Sequence, residues 1–575
     1  MDYQCSPSTP PVAPQQWAHG SPSGNLYPIN TNVRHLGLDN GNMSFTGHAA
    51  AKWPGTTMDP ARKSSQQHQS LIPTWPSPTD ISITADLHSD SFNPITLIGS
   101  PEEHVWDAFT NLHSEQSTPP GAVNPEGFLP SFIKPLPVIM NQDTIECLHI
   151  NGTFALPNVP LQDALLQAFA ECVLPSMPIV EWQPLVQALH GAHGSHGSIS
   201  LLLYHAIMVS AATFVDIRYI LDAGYTTRQE AQESFFQKAR LLYQANTETD
   251  PLTIIQAFLL MTYRLNTTDG DDSRSLIGIA ISTALSIGLF HDISQTINHP
   301  YRPTLWRRIA WSCHILDCQI ALRLRRRPII QRADFCHQMV LETDFDHLQN
   351  LATQSPGIPP DTTLSRNFSA QRELALIFIA NARLSVCIRN VLDIQCKESQ
   401  LRSSVSPTTP TSSTSDDSDY SNSIYISERM LSEWANALPK SCQTNPSEPQ
   451  AIDEEPALTV QRSLLHITFY TTIAVFHQSR LFPSSNFCVQ HASQQITSVA
   501  FDLYRRGLHS RLPIVGVTGI LVALVIHISE MKAPPSIQKD QATRNFQLGL
   551  EIMANLRDVY SEANRVTSWA LKIIQ

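Results

Sequence analysis

From about Pro157 onward apolar residues recur at intervals of three and four, and no run alternates for long with period two. A packed set of helices is therefore the fold this chain can bury. Leu161, Leu165, Ala168 and Cys172 set the pattern, which Pro175 and Pro178 stop. Residues 199–216 are almost wholly apolar, 228–244 are amphipathic, and 252–265 are apolar on most sides, as a buried helix requires. Ile277, Ile281, Ala284 and Gly288 mark a further helix. Trp306, Ala310, Cys313, Asp317, Ile320 and Leu324 mark the next. Residues 427–438, 459–476, 492–504, 517–529 and 541–571 also read as helices, so the expected fold class is all-α.

Residues 1–134 differ in kind. They are rich in Pro, Ser, Thr, Asn, Gln and Gly without sustained periodicity, and they cannot bury enough surface to offset chain entropy, so disorder is expected. Within them, residues 64–133 hold no Lys or Arg but carry Asp80, Asp86, Asp90, Glu102, Glu103, Asp107, Glu115 and Glu126, interleaved with Trp75, Phe92, Trp106 and Phe109. Charge repulsion keeps such a stretch solvated, while the aromatic side chains offer anchors for a partner's groove. This makes it a candidate activation segment, the alternative being an acidic linker. A Ser/Thr/Pro/Asp stretch at 401–424 reads as a flexible insertion. The expected organisation is a disordered segment at 1–134, a helical domain at 135–400, the insertion, and a C-terminal helical part at 425–575.

A formal net charge of −12 argues against polyanion binding by the whole molecule and leaves it to a local patch or a partner. Residues 1–20 lack the basic and apolar regions of a secretory signal. The longest apolar stretches, 201–215 and 519–528, fall short of the ~20 residues that span a bilayer, so no membrane partner is expected. The ten cysteines are scattered, as suits a reducing compartment. None forms the close pair that zinc needs, and Cys313 and Cys318 read as buried free thiols. No HExxH, GxSxG, GxxxxGK[ST] or GxGxxG is present, so no enzyme and no cofactor is expected.

The densest basic cluster is Arg302, Arg307, Arg308, Arg323, Arg325, Arg326, Arg327 and Arg332. Closely spaced guanidinia favour multivalent anions, which makes Arg323, Arg325, Arg326 and Arg327 the candidate anion or nucleic-acid contact. The competing reading is internal pairing with Asp317, Asp334 or Asp344. His190, His193 and His196 recur in a glycine-rich loop without an acidic or cysteine ligand beside them, so a surface loop is expected rather than a metal site.

The stretch KARLLYQANTETDPLTIIQAFLLMTYRLNTTDGDDSRSLIGIAISTALSIGLFHD, residues 238–292, resembles the middle homology region of fungal zinc-cluster transcription factors, in the cutinase transcription factor and fatty-acid-regulator branch. PLPVIMNQDTIECLHINGTFALPNVPLQDALLQAFAECVLPSMPIV precedes it, and LWRRIAWSCHILDCQIALRLRRRPII, LSEWANALP and LLHITFYTTIAVFHQSRLF follow in family order over about 135–482. The resemblance implies a multi-helix regulatory domain and a nuclear activator of a metabolic gene set, either a secondary-metabolite cluster or lipid metabolism. It implies contact with DNA, directly or through a partner transcription factor, with the transcription machinery, and with a second copy in a homodimer. The family's zinc cluster has no ligands among residues 1–140, which hold only Cys5. Either a first exon is missing, then, or the regulator works through a DNA-binding partner. Cys318, Arg326 and the run His477, Gln478 and Ser479 also depart from the family pattern. A ligand-binding co-regulator acting through such a partner is the second reading, and a helical enzyme without a recognisable motif the third.

Overall fold

The computed structural model describes residues 129–568 apart from 138–139, 191–197, 265–270, 294–299, 346–367, 405–413, 445–454, 479–482, 533–536, 561–562 and 566. Of the disordered segment expected over 1–134, residues 1–128 with Trp75, Phe92, Trp106 and Phe109 lie outside the described residues, as do His193 and His196, whereas 129–134 are described and held to the body by the buried Ile133.

The described chain is helical: α1 (Gln142–Ile150), α2 (Val159–Ala168), α3 (Trp182–His190), α4 (Leu201–Ala212), α5 (Ile217–Asp222), α6 (Arg228–Gln244), α7 (Pro251–Met261), α8 (Asp271–Ser286), α9 (Pro303–Leu324), α10 (Phe368–Ser404), α11 (Thr414–Asn436), α12 (Pro456–Gln478), α13 (Pro483–Arg505), α14 (Ile514–Met531) and α15 (Ile537–Asn555). Among the described residues the one extended pairing is a parallel bridge between Ile133 and Ile199. The starts follow ordinary capping chemistry: Asn158 accepts the Leu161 amide at 3.0 Å, and Thr227 accepts the Glu230 amide at 3.1 Å.

The expected helices at 228–244 and around Trp306 stand where the spacing put them. Three differences have physical causes. The apolar run at 199–216 is cut at Ala212, and the short helix α5 follows, its first turn capped by the Asp216 carboxylate on the Arg218 amide at 3.0 Å. The stretch expected to be a flexible insertion is entered by helix from both sides, since α10 runs to Ser404 and α11 begins at Thr414. Acidic residues suit a helix N-terminus, and Tyr420 and Ile424 of α11 pack on a buried core, so packing outweighs the turn-prone composition. The third difference is α10 itself, 37 residues long and not among the expected helices.

Three large apolar cores organise the body. The first gathers α1 to α8 and α9 as far as Ile320, with Phe169, Tyr204, Ile207, Phe235, Leu259 and Trp306 among its members. The second joins the end of α9 to α10, α11 and α12 through Cys318, Leu384, Ile388, Trp434 and Phe476. The third lies among α12 to α15, around Ile467, Ile496, Ile520, Phe546 and Tyr560. Helix α9 therefore belongs to the first two cores, and α12 to the last two.

Among the described residues two segments are long and apolar enough to cross a membrane, Ser369–Glu398 within α10 and Ile514–Met531, and 72% and 50% of their apolar windows are buried inside the protein. The stretch 519–528 is thus the centre of a longer helix than expected. Helix α14 also makes the closest interhelical approach through glycine: a Cβ added at Gly519 would lie 2.4 Å from Ile467 Cγ2 and 2.8 Å from Thr471 Oγ1, both on α12. A β-branched neighbour close to its own backbone cannot swing away. Gly519→Ala is accordingly expected to destabilise the fold by about 1–3 kcal/mol in a denaturant melt, despite the better helix propensity of alanine. A neutral or stabilising result would show that α12 and α14 are free to separate.

Candidate functional site

Helix α9 and the loop behind it hold the arginine cluster, and their local fold follows from how a buried helix satisfies its polar groups. Pro303 occupies the first turn, where its missing N–H costs nothing. From Trp306 to Leu322 nearly every side chain is buried, including Arg307, Arg308, His314 and Asp317. The helix stops at Arg325, which takes the left-handed conformation at φ 54° and ψ 38°, with its amide donating to Ala321 O. The chain then folds back on α9, and the buried Asp317 carboxylate receives it: the Ile329 amide donates to Oδ1 and the Ile330 amide to Oδ2, both at 2.9 Å. Burial raises the Asp317 carboxyl above its usual range, against the opposing pull of those amides and of Arg389 and Arg274.

The eight arginines do not form one patch. Arg307 donates to both oxygens of the buried Asp344, at 2.9 and 3.1 Å, and stands 3.7 Å from Asp292. Arg308 is wholly buried and donates through Nη1 to Pro178 O at 2.7 Å, and burial lowers its guanidinium to about 9. Its Nε and Nη2 have no hydrogen-bond partner among the described residues. Arg302 reaches Glu181 at 3.3 Å. Arg332 lies on the surface and pairs with Asn390 and with Asp393. Among the predicted contacts, Arg323 and Arg325 are half-buried, Arg326 and Arg327 are exposed, and burial lowers the Arg325 guanidinium to about 10. Arg274 donates to Arg327 O at 3.1 Å, so the backbone of this stretch is bound to the body rather than displayed as an extended peptide.

The Asp344 partner expected for the cluster is found, on Arg307, whereas Asp317 is served by backbone amides. Sequence reading missed Arg308 as the link to Pro178, because 130 residues separate the two.

Behind Asp317 lies a second buried polar group. Ser385 Oγ donates to Ala382 O at 2.7 Å, so His314 Nδ1 is the donor to Ser385 Oγ at 2.9 Å. Burial lowers the His314 imidazole to about 3, as it does that of His205, whose Nε2 lies 3.0 Å from Thr153 O. The Cys313 and Cys318 thiols are buried and pushed above their usual range by burial, which leaves them protonated and inert. Among the described residues no group of three or more His, Cys, Asp or Glu side chains could hold a metal ion, and the described cysteines are free. These side chains do not fit a zinc cluster.

Comparison with known proteins gives this arrangement a context. Residues 166–436 match the fungal specific transcription factor domain. The chain is 38% identical over 514 residues to cutinase transcription factor 1 beta of Fusarium vanettenii, covering 84% of this chain and 57% of that protein. It is 27% identical over 459 residues to transcription factor cpaR of Aspergillus oryzae, covering 77% and 76% of the two chains. A fusaric acid cluster transcription factor of Fusarium oxysporum f. sp. lycopersici matches at 27% identity over 173 residues, 30% of this chain and 25% of that one. The chain spans little more than half the length of the first relatives, 57% and 55%.

Two measurements test this account. Asp317→Ala leaves two amides without their acceptor and is expected to cost about 2–5 kcal/mol, whereas Arg327→Ala, at an exposed side chain, should stay within about 0.5 kcal/mol. Equal effects would refute the ranking. The two depressed histidines stabilise the fold fully above their unfolded value of 6.5 and lose that contribution as pH falls toward about 3. Each should add up to about 1.4 kcal/mol per pH unit of acid destabilisation, and His314→Gln should flatten the slope. Stability independent of pH from about 6.5 to about 5 would contradict their burial as neutral rings.

Proposed function

Because the chain carries a fungal specific transcription factor domain over residues 166–436, we propose that it is a transcription regulator, acting as an activator of a metabolic gene set rather than as an enzyme. The observation that carries this reading is the domain match together with relatives that are transcription factors by name over most of the chain. One of those relatives is named for cutinase and another for the fusaric acid cluster, which supports genes of lipid metabolism or of a secondary-metabolite cluster as targets.

In this reading the chain works in the nucleus and reaches DNA directly or through a partner transcription factor, while the helical body regulates. The stretch at 64–133, with eight carboxylates and no Lys or Arg, contacts the transcription machinery through Trp75, Phe92, Trp106 and Phe109. Of the four candidate contacts Arg323, Arg325, Arg326 and Arg327, the exposed pair Arg326 and Arg327 is the one this reading sets against a phosphate backbone.

Residues 64–133 fused to a foreign DNA-binding domain should activate a reporter, and Trp106→Ala with Phe109→Ala should return it toward background. A silent fusion would remove the activator reading. If the full chain instead lowers transcription when tethered beside an active promoter, repression replaces activation.

A further inference from the structure

Arg308 stands apart from its neighbours in the arginine cluster, because no carboxylate among the described residues is in contact with it to answer its charge. Its side chain is wholly buried and uses one donor, Nη1, on Pro178 O at 2.7 Å. The Nε and Nη2 donors are left without a partner. These two N–H groups lie side by side on one edge of the guanidinium plane, the edge that can meet both oxygens of a carboxylate at once. The carboxylates whose charge reaches Arg308 are Glu181 and Asp344, and both are already held. Glu181 lies 3.3 Å from Arg302, and Asp344 accepts from Arg307 and from the Leu341 amide.

One turn along the same face of α9, Ser312 is buried too, and its hydroxyl has no partner among the described residues. A helical serine ordinarily turns its hydroxyl back onto a carbonyl of the preceding turn, as Ser210 does on Ile207 O at 2.9 Å and Ser385 on Ala382 O at 2.7 Å. Ser312 does not. A pair of parallel donors and a hydroxyl are thus left open together on a buried helix face, where an unmet polar group is costly. Arg389 of α10 leaves the same two guanidinium atoms open, but the buried Asp317 carboxylate, held by two backbone amides, answers its charge.

We propose that Arg308 and Ser312 form an internal binding site for a small monocarboxylate, whose oxygens accept from Arg308 Nε and Nη2 and from Ser312 Oγ. Charge selects this class. A single negative charge balances Arg308, whereas a phosphate dianion would bring surplus negative charge beside Glu181 and Asp344. A water molecule can accept from the open donors but leaves the buried charge unanswered. Because Arg308 is wholly buried, the carboxylate enters by local opening of the body. The inference goes beyond the transcription reading: an occupied site would tie the stability of the helical body to a metabolite, whether or not the chain meets DNA.

The test is a thermal melt of the full 575-residue chain at about pH 7 in sodium acetate, formate, phosphate or chloride at matched ionic strength. Acetate and formate are expected to raise the midpoint saturably over chloride, and by more than phosphate does. Arg308→Lys keeps the positive charge but loses the parallel donors. It should raise the apparent dissociation constant for acetate at least about tenfold with an unchanged far-UV circular dichroism spectrum. Ser312→Ala should raise it about two- to tenfold, and it decides the matter if the Arg308 variant does not fold. Arg327→Ala, at an exposed guanidinium, should leave it unchanged. Absence of a saturable effect of acetate and formate overturns the proposal, as does a stronger effect of phosphate. So does a constant unmoved by a folded Arg308→Lys chain or, failing that, by Ser312→Ala. Loss of the acetate effect in Arg327→Ala would also overturn it, by placing the anion on the surface.

Discussion

The burial of α9 along almost its whole length is the constraint on which the rest of the structure depends. A polar group on a helix enclosed on every side is costly to bury without a partner inside, because water cannot serve it. Four such groups on α9 draw in different parts of the chain: Asp317 binds the backbone at 329 and 330, Arg307 binds Asp344, Arg308 binds Pro178 O, and His314 binds Ser385 on α10. These bonds join the first and second cores more specifically than apolar packing alone could. They also explain why a run of arginines in the sequence does not become a single basic surface. The guanidinia on the buried part of the helix are turned inward, and the exposed arginines of the run stand outside it, Arg302 before its start and Arg326, Arg327 and Arg332 past its left-handed end.

How much of this was legible in the sequence depends on the range of the interaction concerned. Helices with one buried stripe were legible, as residues 228–244 show, because their period is written in consecutive residues. Helix α10 was not, since it buries two faces: Leu374, Ile377, Leu384 and Ile388 pack in the second core, while Ala375, Phe378, Ile379 and Ala382 pack in a separate cluster with Trp311 and Phe345. Two stripes on one helix wash out its period. The arginine partners were partly legible. Asp344 could be named as a candidate because it is a nearby carboxylate, but a backbone carbonyl 130 residues away leaves no mark in composition or spacing. The start of α11 was hidden for a related reason, as its turn-prone residues are overruled by the packing of Tyr420 and Ile424 on the second core.

The charge layout has a logic of its own. The acidic residues of 64–133 lack cations in their own stretch, whereas the helical body mixes both signs on α6 and α15 and has none on most of α13 and α14. Salt acts differently on these regions. Screening weakens the self-repulsion of the acidic stretch and the reach of exposed arginines such as Arg327, and it leaves apolar contact on α14 intact or strengthened.

The match to the fungal specific transcription factor domain ends at residue 436, but the packing does not. Leu458, Leu465, Val475 and Phe476 of α12 lie in the same core as Cys318 of α9, Ile388 of α10 and Trp434 of α11, and α12 continues into the third core through Val460, Leu464 and Ile467. Polar contacts tie the ends together too: Gln395 of α10 donates to Val475 O at 2.6 Å, and Arg511, just before α14, stands 3.1 Å from Glu171 beyond α2. A fragment cut at residue 436 would expose the apolar side of α10 and α11 that α12 covers. Helix α12 and the helices behind it are packed into the same body as α9, and a perturbation at either end of that body meets the other through two shared helices.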